Sequence, residues 1–137
     1  MKLLLIIAAV IEAVAGLALL LIPTVAVSAL LGAALNTATG LVAGRIAGAA
    51  LVALAIACWQ VRNSERGNSV TGVVEAMSFY NFAGAMVLVY AGTRLDLRSA
   101  LLWPAIVLHL ALGAWCVVTL SFSRRKISTS QVIPTDL

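Results

Sequence analysis

Four long runs of apolar residues, separated by short polar stretches, constrain this chain more than any other feature. The runs cover about residues 3–22, 40–60, 71–92 and 100–121, and each has the roughly 20 residues that a membrane-spanning helix needs. Only 10% of the residues are charged and 63% are hydrophobic. That composition excludes soluble enzymes and nucleic-acid-binding domains, whose surfaces need more charge. The sequence therefore predicts an all-α integral membrane four-helix bundle, forming a single transmembrane domain over residues 1–137.

The segment between the first two spans differs from the spans themselves. Residues 24–39 carry no charge, but they follow Pro23 and include Ser28, Gly32 and Asn36. Such residues disfavour a straight membrane-spanning helix. We expect an interfacial or re-entrant helix there. Residues 123–137 begin with basic side chains and predict a polar carboxy-terminal tail.

The basic residues predict the orientation of the bundle. Four spans put both termini on one side of the membrane, and basic residues favour the cytoplasmic side. The terminal side holds Lys2, Arg62, Arg66, Arg124, Arg125 and Lys126, against Arg94 and Arg98 opposite. We therefore expect a bacterial-type inner membrane protein with both termini in the cytoplasm. Cys58 and Cys116 are too few for a disulfide framework, and reduced thiols are expected.

Small residues predict where the helices touch. Gly40, Gly44 and Gly48 repeat every four residues on the second span, which makes a doubled GxxxG pattern along one helix face. Gly16 on the first span and Gly113 on the fourth lie on similar stripes. These five glycines are the predicted helix-packing positions.

Four polar residues stand out because charged and polar groups are costly inside a bilayer. Helical rise places Glu12, Asn81 and His109 near one plane of the membrane, and the long side chain of Arg45 reaches toward it. The sequence predicts a buried polar cluster of Glu12, Arg45, Asn81 and His109, with an ion pair between Glu12 and Arg45. Two interpretations stay open: the cluster fixes helix register, or Glu12 and His109 exchange protons in a titrating or ligand-binding pocket.

No cofactor or metal ion is predicted. One carboxylate and one imidazole leave a divalent ion short of ligands, and no nucleophile triad or phosphate-binding loop is present in the sequence. The chain is therefore not expected to be an enzyme. Tyr80, Tyr90 and the three tryptophans are interpreted mainly as interfacial-belt and packing residues.

Three stretches carry a resemblance to a known group. GRIAGAALVALAIACW, SFYNFAGAMVLVYAG and LLWPAIVLHLALGAW resemble small bacterial inner-membrane proteins of the DoxX-like four-helix type. The resemblance implies a four-helix membrane fold and supplies no catalytic residue. AVIEAVAG around Glu12 and RLDL from Arg94 are similar to the small multidrug resistance transporters, which also carry a membrane-embedded glutamate in a first short helix.

Three functions remain as expectations. The leading one is a non-catalytic accessory or structural subunit that packs against a larger membrane complex or its own copies. The alternatives are a proton-coupled small-molecule transporter using Glu12, and a quinone- or lipid-binding subunit with its ligand near His109 and Tyr80. The expected partners are the lipid bilayer, other membrane subunits or self-association, with room for a small hydrophobic ligand and no nucleic acid.

Overall fold

The computed structural model describes residues 1–65 and 67–130, with side chains described through residue 122. All regular secondary structure in those residues is helical, as predicted. The helices are α1 (Lys2–Leu21), α2 (Pro23–Leu31), α3 (Ala38–Val61), α4 (Asn68–Arg94) and α5 (Leu102–Ser130). Helices α1, α3, α4 and the part of α5 from Leu102 to Phe122 are long and apolar enough to cross a membrane. Of the predicted tail, residues 123–130 continue α5, and residues 131–137 lie outside the described part of the chain.

Local sequence signals set the ends of the short helix. Pro23 occupies the first turn of α2, where its missing N–H costs nothing, and the non-helical backbone of Ile22, with φ of −132° and ψ of 55°, separates α1 from α2. Gly32 ends α2 in the left-handed conformation, with φ of 73°. Thr37 then begins α3 by accepting a hydrogen bond from the backbone N–H of Gly40 at 3.1 Å. The expected helical segment between spans one and two is confirmed.

Helices α1 and α3 pack along each other through a close backbone approach. A Cβ atom on Gly16 would lie 2.8 Å from the carbonyl oxygen of Gly48, and one on Gly48 would lie 2.7 Å from the carbonyl oxygen of Gly16. Only glycine fits at either position without moving a helix backbone. The other two glycines of the α3 pattern face different neighbours: Gly40 lies against Leu35 and Thr37, and Gly44 against Leu35 and Pro23.

Helices α4 and α5 form the second pair. Here the glycines make room for rings rather than for backbone. A Cβ on Gly84 would lie 3.3 Å from the His109 ring, and one on Gly113 would lie 3.1 Å from the Phe82 ring. Each helix of this pair thus seats an aromatic side chain of the other.

The two pairs join through a core at one end of the bundle. We call this end, where α1 begins, α3 ends and α4 begins, the amino-terminal side, and the opposite end the far side. The core contains residues from all four long helices: Leu4, Leu5, Ala8 and Ala9 from α1, Cys58 from α3, Val70, Val74 and Met77 from α4, and Leu112 and Cys116 from α5. Its close packing holds the two pairs together at the amino-terminal side.

On the far side, α2 and the α4–α5 connection complete the fold. Leu88, Leu102 and Ile106 form a smaller apolar cluster against Leu30 and Leu31 of α2. The Ser99 hydroxyl donates a hydrogen bond to the carbonyl oxygen of Ala29 at 2.6 Å. A Cβ on Gly32 would lie only 2.1 Å from the carbonyl oxygen of Arg98. The end of α2 is therefore fitted closely against the α4–α5 connection.

Large apolar side chains point outward from every long helix. Val14, Ile46, Phe79 and Val107 are each more than 60% exposed. In water such a surface would be costly, whereas in lipid it is the ordinary exterior of a helical bundle. The protein is a small multi-pass membrane protein with four candidate spans.

Candidate functional site

A polar layer lies between the two apolar clusters. Among the described residues, Glu12 on α1 and Asn81 on α4 are the buried polar or charged side chains, with 2% and 0% of their surface exposed. The layer is built from α1, α4 and α5, and it sits at mid-height in the bundle.

Asn81 is held in one orientation by two hydrogen bonds. Its Nδ2 donates to the carbonyl oxygen of Met77 at 2.9 Å, so its Oδ1 faces α5. That oxygen lies 3.0 Å from Nδ1 of His109. Because Oδ1 only accepts hydrogen bonds, Nδ1 of His109 carries a proton and donates it. In the neutral ring, Nε2 is then the nitrogen with the free lone pair.

Glu12 finds its partner on α4. The Tyr80 hydroxyl donates a hydrogen bond to the Glu12 carboxylate. The Tyr80 ring in turn meets the His109 ring edge to face, with the ring centres 5.7 Å apart and the planes at 73°. We call Glu12, Tyr80, Asn81 and His109 the polar cluster.

The two cysteines lie just to the amino-terminal side of this layer. Cys58 and Cys116 are buried free thiols in the larger apolar core. Cys58 lies near both Glu12 and Cys116. All four long helices therefore contribute a polar or sulfur-bearing side chain at or next to the cluster.

Arg45 was predicted in the cluster, and the structure places it elsewhere. Its side chain is exposed on the outer surface of α3, and it makes no ion pair with Glu12. The physical reason is the close approach of the two helices: Arg45 lies about 60° around α3 from Gly48, and the glycine contact leaves no room for an arginine side chain between α1 and α3. Of the other three predicted residues, Asn81 contacts His109 directly, and Glu12 is connected to His109 through Tyr80.

Tyr80 is the cluster member that the sequence analysis missed by treating it as a belt or packing residue. On a helix, residues 80 and 81 point about 100° apart, so both can border an inward-facing cluster from neighbouring faces of α4. Gly84 lies one turn after Tyr80 and leaves space for the His109 ring. A small residue one turn from an aromatic one was the available signal.

The arrangement favours fixed packing over open chemistry. In the described part of the chain, every buried side-chain nitrogen or oxygen has a hydrogen-bond partner. The Tyr80 and His109 rings meet edge to face, so these two side chains pack against each other. Within the described residues, no three histidine, cysteine, aspartate or glutamate side chains converge as metal ligands.

Comparisons of the chain with protein families, with curated proteins and with solved structures give no match. No family membership follows from them, and neither the DoxX-like resemblance nor the likeness to small multidrug resistance transporters gains support from a family match.

Proposed function

We propose that the protein is a non-catalytic subunit of a membrane complex that holds a transmembrane helix of another protein against α1 and α3. The observation that carries the proposal is the exposed Arg45 on the outer face of a span. Arg45 lies about 10 Å from the start of α3, where a lipid-facing cation is costly. A carboxylate on a partner helix at that depth would remove the cost.

The surface beside Arg45 is shaped to receive a helix. A groove of about 280 Å³ runs between α1 and α3, and its lining includes Ala9, Ala13, Val52, Ala55, Ile56 and Trp59. Small side chains let a further helix approach closely, as at other membrane helix contacts. Arg45, Val52 and Trp59 recur every seven residues, nearly two helical turns, so they share one stripe of α3. A helix lying in the groove would pass beside Arg45.

The occupant we propose is a different protein rather than a second copy. A two-fold contact through this face would bring Arg45 of both copies to the same depth, and like charges there would repel. The partner helix is expected to carry a carboxylate about 10 Å, or two turns, from the residues that contact Val52. The DoxX-like resemblance agrees with this class of small inner-membrane subunit and adds no residue role.

Site-specific photocrosslinking tests the proposal. A photoreactive residue at Ala49, which is exposed one turn from Arg45, should crosslink a partner helix; the same residue at Val107 on α5 is the matched control and should not. Arg45→Lys should keep the crosslink and Arg45→Glu should abolish it. Changing the partner's carboxylate to Arg should then restore it in the Arg45→Glu background.

Two results would contradict the subunit assignment. One is a crosslink from Ala49 only to a second copy of this chain. The other is an equal crosslink yield in the wild type and Arg45→Glu. Because Arg45 is exposed, neither Arg45→Lys nor Arg45→Glu should change the melting temperature of the bundle. An unchanged melting temperature shows that a lost crosslink reflects loss of the partner and not unfolding.

Proton-coupled export through Glu12 is a second candidate. Because Arg45 forms no ion pair with Glu12, it does not neutralise the Glu12 carboxylate. Tyr80 connects that carboxylate to the His109 ring. The likeness around Glu12 to small multidrug resistance transporters favours the same reading. In proteoliposomes with an imposed proton gradient, uptake of tetraphenylphosphonium should require Glu12 and be lost in Glu12→Gln but kept in Glu75→Gln. Equal uptake by protein-free vesicles would remove this candidate.

We also propose the inner-membrane orientation with both termini in the cytoplasm. Lys2 and Arg62 lie on the amino-terminal side, against Arg94 and Arg98 on the far side. Arg66 lies outside the described residues. A cysteine introduced at Asn63 should resist a membrane-impermeant thiol reagent in intact cells, and one at Ala100 should react. The reverse pattern would invert the orientation.

A further inference from the structure

A second groove, on the opposite pair of helices, has a different character. It runs between α4 and α5 with a volume of about 440 Å³, within the range of small-molecule sites. Phe82, Met86, Val89 and Leu110 line its length. At its far-side end stand Tyr90, Thr93 and Arg94. The groove is thus apolar along its length and polar at one mouth.

The length of the groove matches one leaflet of a bilayer. Twelve residues of α4 separate Phe82 from Arg94, a rise of about 18 Å. Half of the hydrocarbon core is about 15 Å thick. Arg94 is the last residue of α4, so its guanidinium stands at headgroup level while Phe82 lies near the bilayer centre.

Arg94 is the cation at the polar mouth. The neighbouring carboxylate of Asp96 is already taken by Arg98, whose Nη2 lies 2.7 Å and whose Nε lies 2.8 Å from Oδ1 of Asp96. Within the described residues Arg94 forms no ion pair. The Thr93 hydroxyl donates to the carbonyl oxygen of Val89, which leaves the Arg94 guanidinium as the charged donor at this mouth, beside the Tyr90 hydroxyl.

We infer that this groove binds one anionic phospholipid of the far-side leaflet, with an acyl chain along Met86 and Val89 and the phosphate on Arg94. A guanidinium matches phosphate oxygens with paired hydrogen bonds. The groove supplies apolar contact over the length of a chain, and the charge sits where the headgroup would be. A phospholipid brings a phosphate to the level of Arg94 and an acyl chain to the apolar length below it, so it fits both ends of the groove.

Native mass spectrometry of the purified protein in mild detergent tests the site, with phosphatidylglycerol and phosphatidylcholine as the added probes. Phosphatidylglycerol should bind more tightly than phosphatidylcholine. Arg94→Gln should weaken phosphatidylglycerol binding roughly tenfold, the loss expected for a charge-assisted hydrogen bond. Arg98→Gln, on the same connection but paired with Asp96, is the matched control and should bind as the wild type does.

A second pair of variants tests the acyl-chain part of the groove. Met86→Trp fills it from an exposed position, and Val87→Trp places the same ring on another face of α4. Phosphatidylglycerol binding should fall in Met86→Trp and stay in Val87→Trp. Equal binding of the two lipids, equal effects of Arg94→Gln and Arg98→Gln, or full binding in Met86→Trp would each overturn the inference. These measurements do not involve the α1–α3 groove. They therefore test the lipid site independently of the proposed partner helix.

Discussion

Gly48→Ala is the sharpest test of how the bundle is packed. The added Cβ would lie 2.7 Å from both the Gly16 carbonyl oxygen and the Leu20 backbone nitrogen. Both atoms belong to the backbone of α1, which cannot relieve the contact by a change of side-chain rotamer. Ordinary contact begins at 3.4 Å, so α1 and α3 would have to move apart by about 0.7 Å, a gap that forfeits a quarter to a half of each dispersion contact along the seam.

The expected cost follows from two opposing effects. Overpacking of this kind destabilises by about 1–3 kcal/mol. Replacing a helical glycine by alanine returns about 0.5–1 kcal/mol through backbone entropy. We therefore expect Gly48→Ala to lower the free energy of unfolding by about 1 kcal/mol, and by no more than about 2.5 kcal/mol.

Two other glycines provide matched controls. A Cβ on Gly44 would meet Leu35 Cδ2 at 3.3 Å and Pro23 Cβ at 3.4 Å, and one on Gly72 would meet nothing within 4 Å. Gly44→Ala should be nearly neutral and Gly72→Ala neutral to stabilising. The assay is unfolding in mild detergent by titration with sodium dodecyl sulfate, followed by tryptophan fluorescence. If Gly48→Ala unfolds at the same point as Gly44→Ala, the close α1–α3 approach is refuted.

Three further predictions follow from the polar cluster and the far side. Asn81→Leu leaves the part-buried His109 Nδ1–H without its acceptor and should destabilise the protein by about 1 kcal/mol. Adding His109→Phe should recover part of that loss in a double-mutant cycle, and strict additivity would argue against the hydrogen bond. Gly32→Ala places a Cβ at a position with positive φ, 2.1 Å from the Arg98 carbonyl oxygen. The melting temperature of the Gly32→Ala protein should therefore fall further than that of Ser99→Ala, which loses one hydrogen bond. The opposite ranking would count against the close fit of α2. Asp96→Asn should leave the melting temperature unchanged, because the Asp96–Arg98 pair is solvent-exposed at 78% and 84%; a clear drop would show that this pair is structural.

The spans were predictable because hydrophobic length is a direct physical requirement of the bilayer. The predicted runs differ from the observed helices by one to three residues at most ends, since polar residues such as Asn68 and Arg94 still extend a helix into the interface. The end of the first span before Pro23 was equally predictable, because proline restricts the backbone wherever it occurs. The exception is α5, which continues through Ser130 past the predicted limit.

The composition of the polar cluster was predictable only in part. Helical rise fixes depth, so it predicts Glu12, Asn81 and His109 near one plane. In the structure Asn81 meets His109 directly, and Tyr80 lies between Glu12 and His109. Which way a side chain points around the helix depends on the neighbour it meets. Arg45 and Tyr80 were therefore misjudged in opposite directions: the Gly16–Gly48 contact turns Arg45 outward, and Gly84 opens room for Tyr80 beside His109.

The junction of Ala29 with Ser99 has a consequence for how the chain is made. Seventy residues separate the two partners, so α2 emerges from the ribosome long before its anchor exists. Until the third span has entered the membrane, Ser99 cannot donate its hydrogen bond to the Ala29 carbonyl oxygen. Water, lipid headgroups or a chaperone must then supply the hydrogen bonds at the end of α2. A nascent chain stalled before Ser99 should thus expose α2 to proteolysis, and release of the stall should protect it as the last span enters.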